Sequence, residues 1–134
     1  REEIHKNLEC VDIDVLHYLM NNPCGTESVE YNDNRIALYV AQKGKCAVTK
    51  TELYITEIDC HHKILREMGG GDEYSNLIIV SDKVHILIHS SNERTLKKYL
   101  DLVKPNVKQL AKINKLRVMA GMPQISVNGE LLTV

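Results

Sequence analysis

Four of the six histidines in this 134-residue chain fall between residues 61 and 89, as the doublet His61-His62 and the pair His85 and His89. No other feature limits the possible folds as much. Residues i and i+4 of a helix share one face with Cβ atoms about 5–6 Å apart, so His85 and His89 can converge on one ion. Consecutive residues of a strand point to opposite faces, so His61 and His62 divide their work. One imidazole completes a three-histidine metal site, while the other stays uncoordinated and free to accept a proton. For the two pairs to meet, the chain between them must lay a helix back onto a β layer.

Local patterns supply such a path. Val11, Val15, Tyr18 and Leu19 recur at helical spacing as far as Asn21-Asn22-Pro23, which predicts a short helix and a polar link to about residue 31. Asn32 or Asp33 is the expected cap of a second helix over residues 35–43, closed by Gly44. β-rich pieces follow at residues 46–48, 53–55 and 58–64. Gly69-Gly70-Gly71, Asp72 and Asn76 mark a loop of about a dozen residues, longer than a bare connection requires. Residues 77–80 read as a strand, and Ser81 caps a helix over residues 82–90 whose Val84, Leu87 and Ile88 press it onto the β layer. Helices over residues 93–103 and 107–120 come next, bounded by Pro105 and Gly121. Residues 125–134, with Asn128-Gly129 at their centre, carry a hairpin signal that competes with a frayed end. The expected class is α+β.

An apolar content of 43% fits one globular domain with an appended arm and excludes a multidomain enzyme. Phe and Trp are absent and all six aromatics are Tyr, so Leu, Ile and Val must build the core. An aromatic-rich single-strand binder is disfavoured on the same ground. The longest apolar run, residues 36–41, is far short of the roughly 20 that a membrane helix needs, so no membrane partner is expected. The chain opens on Arg1 without a charged-then-apolar leader and reads as a fragment or processed product not marked for export. The cysteines, Cys10, Cys24, Cys46 and Cys60, include no Cys-x-x-Cys pair, which argues against a zinc ribbon. Cys46 and Cys60 flank an expected hairpin and could share a metal or a disulfide, reduced thiols being the default. His5 and His17 are read as ordinary polar residues.

The net charge of −1 hides a strong asymmetry. Residues 1–34 hold two basic and eight acidic side chains, residues 35–93 seven and eight, and residues 94–117 eight and one. The last segment, Arg94, Lys97, Lys98, Lys104, Lys108, Lys112, Lys115 and Arg117 against Asp101 alone, is a basic arm with its charges expected outward. It suits phosphates or is simply a solvated helix surface.

Taken together, Cys60-His61-His62-Lys63, Gly69-Gly70-Gly71-Asp72-Glu73-Tyr74-Ser75-Asn76-Leu77 and His85-Ile86-Leu87-Ile88-His89 resemble the HNH endonuclease motif. The wider run, Tyr31-Asn32-Asp33-Asn34-Arg35, Lys45-Cys46-Ala47-Val48-Thr49 and Asn114-Lys115-Leu116-Arg117, is similar to the C-terminal endonuclease region of group II intron reverse transcriptase/maturases. That similarity covers most of residues 28–123. It implies a ββα-metal (HNH/His-Me finger) core with flanking helices. Residues 1–30 would form an N-terminal helix and linker, 31–90 the endonuclease core, and 91–134 the basic helices and tail.

The implied activity is metal-dependent hydrolysis of DNA phosphodiester bonds, nicking one target strand for target-primed reverse transcription in intron mobility. One divalent ion is implied, Mg in use, although Zn, Mn or Ni would suit a histidine site. DNA would be the substrate, and intron RNA and the remainder of a reverse transcriptase/maturase further partners. The compartment would be cytoplasmic, in the bacterial cytosol, or an organelle. Carried over by position, the resemblance makes His62 the general base and His61, His85 and His89 the metal ligands. Asn76 pins the loop and fixes the orientation of the base. Lys63 and Arg66 become phosphate contacts, and Arg94, Lys97, Lys98, Lys108, Lys112 and Lys115 hold duplex backbone. Two positions depart from the pattern: Leu65 stands where Pro is usual, and Lys50 where these maturase regions tend to have Gly. The competing reading is a non-catalytic module in which zinc held by the histidines staples a nucleic-acid-binding fold.

Overall fold

Two short polar side chains, Asp12 and Ser28, start the first helices of the computed structural model, which describes residues 11–132. His5, Cys10 and the last two residues of the expected tail strand lie outside the described residues. The Asp12 carboxylate accepts from the amides of Asp14 and Val15 and opens α1 (Ile13–Asn21), whose Val15, Leu16 and Leu19 turn inward. Ser28 caps α2 (Val29–Ala41), which therefore begins well before the expected residue 35. Asn32, the expected cap, instead clasps the polar link, where its side-chain amide accepts from Cys24 N at 2.7 Å and donates to Cys24 O at 3.1 Å. Past α2, Lys43 and Gly44 take left-handed backbone with φ of 58° and 71°.

The β pieces expected at residues 46–48 and 53–55 reduce to one bridge between Lys45 and Glu52, and Ile55–Glu57 forms a 3₁₀ turn. The edge these pieces would have paired with is already covered. The Gln42 side-chain amide donates to Ile79 O at 2.9 Å and accepts from Ile79 N at 3.1 Å, while Ala47 N donates to the same carbonyl at 3.0 Å. The Gln42 side chain and Ala47 N thus occupy the Ile79 groups that an added strand would use.

Strands β1 (Ile58–His62) and β2 (Leu77–Ser81) form an antiparallel two-stranded sheet, with His61 opposite Ile78 and His62 opposite Leu77. The Ser81 hydroxyl accepts from Val84 N and turns β2 directly into α3 (Asp82–His89). Asn92 caps α4 (Glu93–Val103), and Asn106 with Gln109 forms a reciprocal capping box at the start of α5 (Val107–Met119). The tail closes as a bridge between Ile125 and Leu131. α2 covers one face of the sheet and α3 the other, with α4 and α5 packed on α3. Leu77, Ile78, Ile79 and Val80 are consequently buried on both faces. One apolar cluster runs from α1 through the sheet to α5, and residue 30, the expected domain boundary, falls inside α2. No described helix is long and apolar enough to cross a membrane.

The expectation for one residue of the basic arm is corrected, while the default of reduced thiols holds for Cys46 and Cys60. Arg117 is not displayed outward with the basic arm but is fully buried, donating to the carbonyls of Leu87, Ser90 and Pro123 at 2.7, 2.9 and 2.7 Å. The last turn of α3 leaves carbonyls without helical partners, and a guanidinium satisfies several at once. Cys46 and Cys60 are free thiols. Cys46 is buried with its sulfur 3.4 Å from Ser81 N, whereas Cys60 lies on the α2 side of β1, where the Tyr31 hydroxyl donates to its carbonyl.

Leu65 and Lys50, the two positions that depart from the resembled motif, both have a backbone reading. Leu65 already adopts a φ of −63°, the value proline imposes, so the loop keeps its course. Lys50 sits at φ 61°, where an L side chain is strained and glycine is not. Replacing Lys50 with Gly is expected to stabilise the fold by about 0.5–1 kcal/mol, read as a higher urea midpoint. A lower midpoint would contradict a left-handed residue at this turn.

Candidate metal centre

Strand alternation sends His61 toward α3 and His62 toward α2. On α3, the i, i+4 spacing sets His85 and His89 side by side beneath His61, and one ring nitrogen from each of the three lies within 4.8 Å of the others. The rings meet edge to face, with centroids 4.5–5.2 Å apart and planes inclined at 67–82°. His61 Nδ1 and His89 Nε2 are 3.1 Å apart. Two nitrogens bonded at 2.0–2.1 Å to one tetrahedral ion stand about 3.3 Å from each other, so this separation is close to that of two ligands. Asp59, on the same face of β1, lies 3.2 Å from His85 Nδ1. The remaining nitrogen of His85 is thereby left for the cluster, the carboxylate–histidine pairing common around bound metals.

Protonation states suit ligation. Burial, reinforced by His85, His89 and His62, pulls the His61 pKa down to about 3, and burial with His85 and Arg117 lowers that of His89. His61 Nε2 is buried without a partner among the described residues. Three imidazoles converging at this spacing fit a divalent ion, and the donor type admits Zn, Ni or Mn without selecting one.

His62 is built differently. Its ring stacks on Tyr31 of α2, centroids 5.6 Å apart and planes 13° from parallel, and its Nε2 lies 2.8 Å from Asp72 Oδ1. Asp72 also accepts from the Ser28 hydroxyl at 2.7 Å and from Arg66 at 3.1 Å, and its carbonyl accepts from Asn34 at 2.8 Å. The hydrogen bonds from His62, Ser28 and Arg66 hold its carboxyl near a pKa of about 2. In the neutral form of the ring, an ionised carboxylate against Nε2 favours the tautomer with its proton there and Nδ1 as the acceptor. Despite facing opposite ways, His61 and His62 line the same open cleft with His85 and His89, a space of about 370 Å³ along the outer edge of β1.

Asn76 closes the loop beneath this cleft. Its side-chain oxygen accepts from Ile64 N at 2.9 Å, and its amide nitrogen donates to Ile64 O at 3.0 Å and Gly71 O at 2.9 Å. Gly70 is required there, since a Cβ would stand 1.7 Å from Ile64 O. Asn76 makes no hydrogen bond to His62 itself and acts on it through the backbone of Lys63 and Ile64 and through Gly71, the neighbour of Asp72. Among the expected phosphate contacts, Arg66 lies at the cleft, its guanidinium paired with Glu27 and Asp72 and 5.9 Å from the Tyr31 ring centroid. Lys63 is half-buried. Arg94, Lys97 and Lys98 are exposed on α4 and Lys108, Lys112 and Lys115 on α5, where Lys112 Nζ donates to Ala47 O at 3.0 Å.

Asp59, Asp72 and Tyr31 were not anticipated as parts of the site. Asp59 was legible, two residues before His61 on one strand face, and Asp72 sits directly after the glycine run. Tyr31 left no signal, because only the docking of α2 puts it over β1. Comparison with protein-family models, curated proteins and solved structures finds no match for the chain.

A histidine whose folded pKa lies below its free value of 6.5 binds its proton more readily when unfolded, so its contribution to stability is greatest above pH 6.5 and declines toward pH 3. In chelator, urea unfolding at pH 7.5 and 5.0 should therefore show a smaller loss for His61→Gln than for the parent chain. Equal losses would contradict a buried, uncharged His61.

Proposed function

We propose that the chain is a metal-dependent DNA endonuclease of the HNH type, with β1, β2 and α3 as its ββα-metal core. The observation that carries this reading is the fourth imidazole: His62 stays out of the three-histidine cluster, lines the same cleft, and is held by an ionised carboxylate. A purely structural zinc site has no use for that arrangement.

A divalent ion held by His61, His85 and His89 would supply Lewis-acid stabilisation of charge on the phosphoryl and departing oxygens. The chain supplies the rest. With its proton on Nε2 facing Asp72, His62 takes a proton from water at Nδ1 as the water oxygen bonds to phosphorus and the bond to the departing oxygen breaks. Asp72 holds the tautomer and stabilises the imidazolium that forms. Tyr31 limits rotation of the ring by stacking. Arg66, at the rim, can exchange a carboxylate for a phosphate oxygen, a pairing its planar fork favours. Within a group II intron maturase, a single-strand nick would free a 3′ hydroxyl for reverse transcription to extend.

Nicking of supercoiled DNA with Mg, Mn or Zn tests the reading and identifies the working ion. His62→Ala is expected to slow nicking by about 10²-fold and Asp72→Asn by about tenfold or more, both with metal affinity nearly unchanged. Unchanged nicking in His62→Ala would overturn the general-base assignment. Absence of nicking by the parent chain with every ion would favour the zinc-stapled binding module.

A further inference from the structure

We propose that a lysine-lined groove between the 44–53 turn and α5 holds the backbone of duplex DNA beside the cleft, a placement that rests on the nuclease reading. Three adjoining depressions of about 350, 280 and 230 Å³ share Lys112, and Lys50, Lys63, Lys108 and Lys115 complete the basic lining. No Asp or Glu lines any of the three. Five ammonium groups without a counter-charge repel one another, and a polyanion relieves that repulsion.

Two further observations point the same way. Lys112 is tethered by its bond to Ala47 O, and burial together with Lys50, Lys63 and Lys115 lowers its affinity for its proton. Lys63 follows His62 directly and lies two residues from His61, roughly 6–7 Å along an extended chain. That span is about one phosphate-to-phosphate step along a DNA strand. A duplex lying in the groove would therefore pass its next phosphates into the histidine cleft. The basic residues of α4 line none of these depressions; Lys98 instead places its ammonium 5.5 Å from the Tyr99 ring centroid.

Fluorescence anisotropy with a 20-base-pair duplex in chelator, at roughly 50–200 mM salt, separates the groove from general charge attraction. The triple variant Lys50→Gly, Lys63→Gln, Lys115→Ala should bind at least tenfold more weakly, with the slope of log affinity against log salt reduced by about 2–3. The charge-matched variant Arg94→Ala, Lys98→Ala, Lys104→Gly should lose less than threefold. Equal losses would overturn the groove, as would tighter binding of single strands or RNA than of the duplex, or no duplex binding by the parent chain at low salt. Lys50→Gly alone guards against misfolding, since it removes one charge while relaxing the backbone, and should still weaken binding. Groove-dependent binding without nicking under any ion would sink the nuclease reading alone. Nicking with unaltered duplex affinity in the triple variant would sink the groove alone.

Discussion

The side-chain amide of Asn76 binds both the N–H and the carbonyl of Ile64, extending the β1–β2 ladder one step beyond the His62–Leu77 pair. Its third bond, to Gly71 O, draws the glycine run underneath, where Gly70 fits only because it lacks a Cβ. The backbone bond from Lys63 N to Asn76 O completes the closure. What this fixes is register. A slip of one residue would turn every β1 side chain to the opposite face, sending His62 toward α3 and His61 toward Tyr31. The separation of the neighbouring histidines onto opposite faces thus depends on one buried amide, each of whose bonds would cost about 1–3 kcal/mol to leave unmade.

Register places His61, but the ligand cluster also needs α3 held at the right height. Ser81 fixes the first turn of that helix, and Arg117, reaching over from α5, fixes the last, where His89 stands. Burying a guanidinium costs several kcal/mol, and the charge-assisted bonds to Leu87, Ser90 and Pro123 offset much of this. The basic helix therefore serves two ends: its exposed lysines face outward along the groove, and its last arginine acts as a bolt through the core. Such a clamp limits the motion of His85 and His89 relative to β1 in a way that apolar contact, being non-directional, would not.

Much of this was readable from spacing. The i, i+4 histidines, the opposed doublet, the Ser81 cap and the bounds of α4 and α5 all follow from periodicity and capping chemistry, which are local. The misread segments were those where a tertiary contact outcompeted local preference. Asn32 looked like a cap but clasps Cys24, and the β-rich residues after Gly44 found their sheet edge already occupied by Gln42. Arg117 was grouped with the outward lysines by residue type, although Ile113, Leu116, Arg117 and Ala120 trace one inward stripe. That period, weighed above charge, would have marked it as buried. The surroundings of His62 were hidden for a different reason, since Tyr31, which stacks on it, and Ser28, which binds Asp72, come from one helix and its cap more than 30 residues away along the chain.

The partition of the four imidazoles is most directly tested by anomalous diffraction from crystals grown with one equivalent of zinc or manganese. One ion bonded to His61, His85 and His89, at about 2.0–2.1 Å for zinc, with His62 still hydrogen-bonded to Asp72, is the expected result. An ion ligated by His62 or Cys60, or bound away from β1, would contradict it.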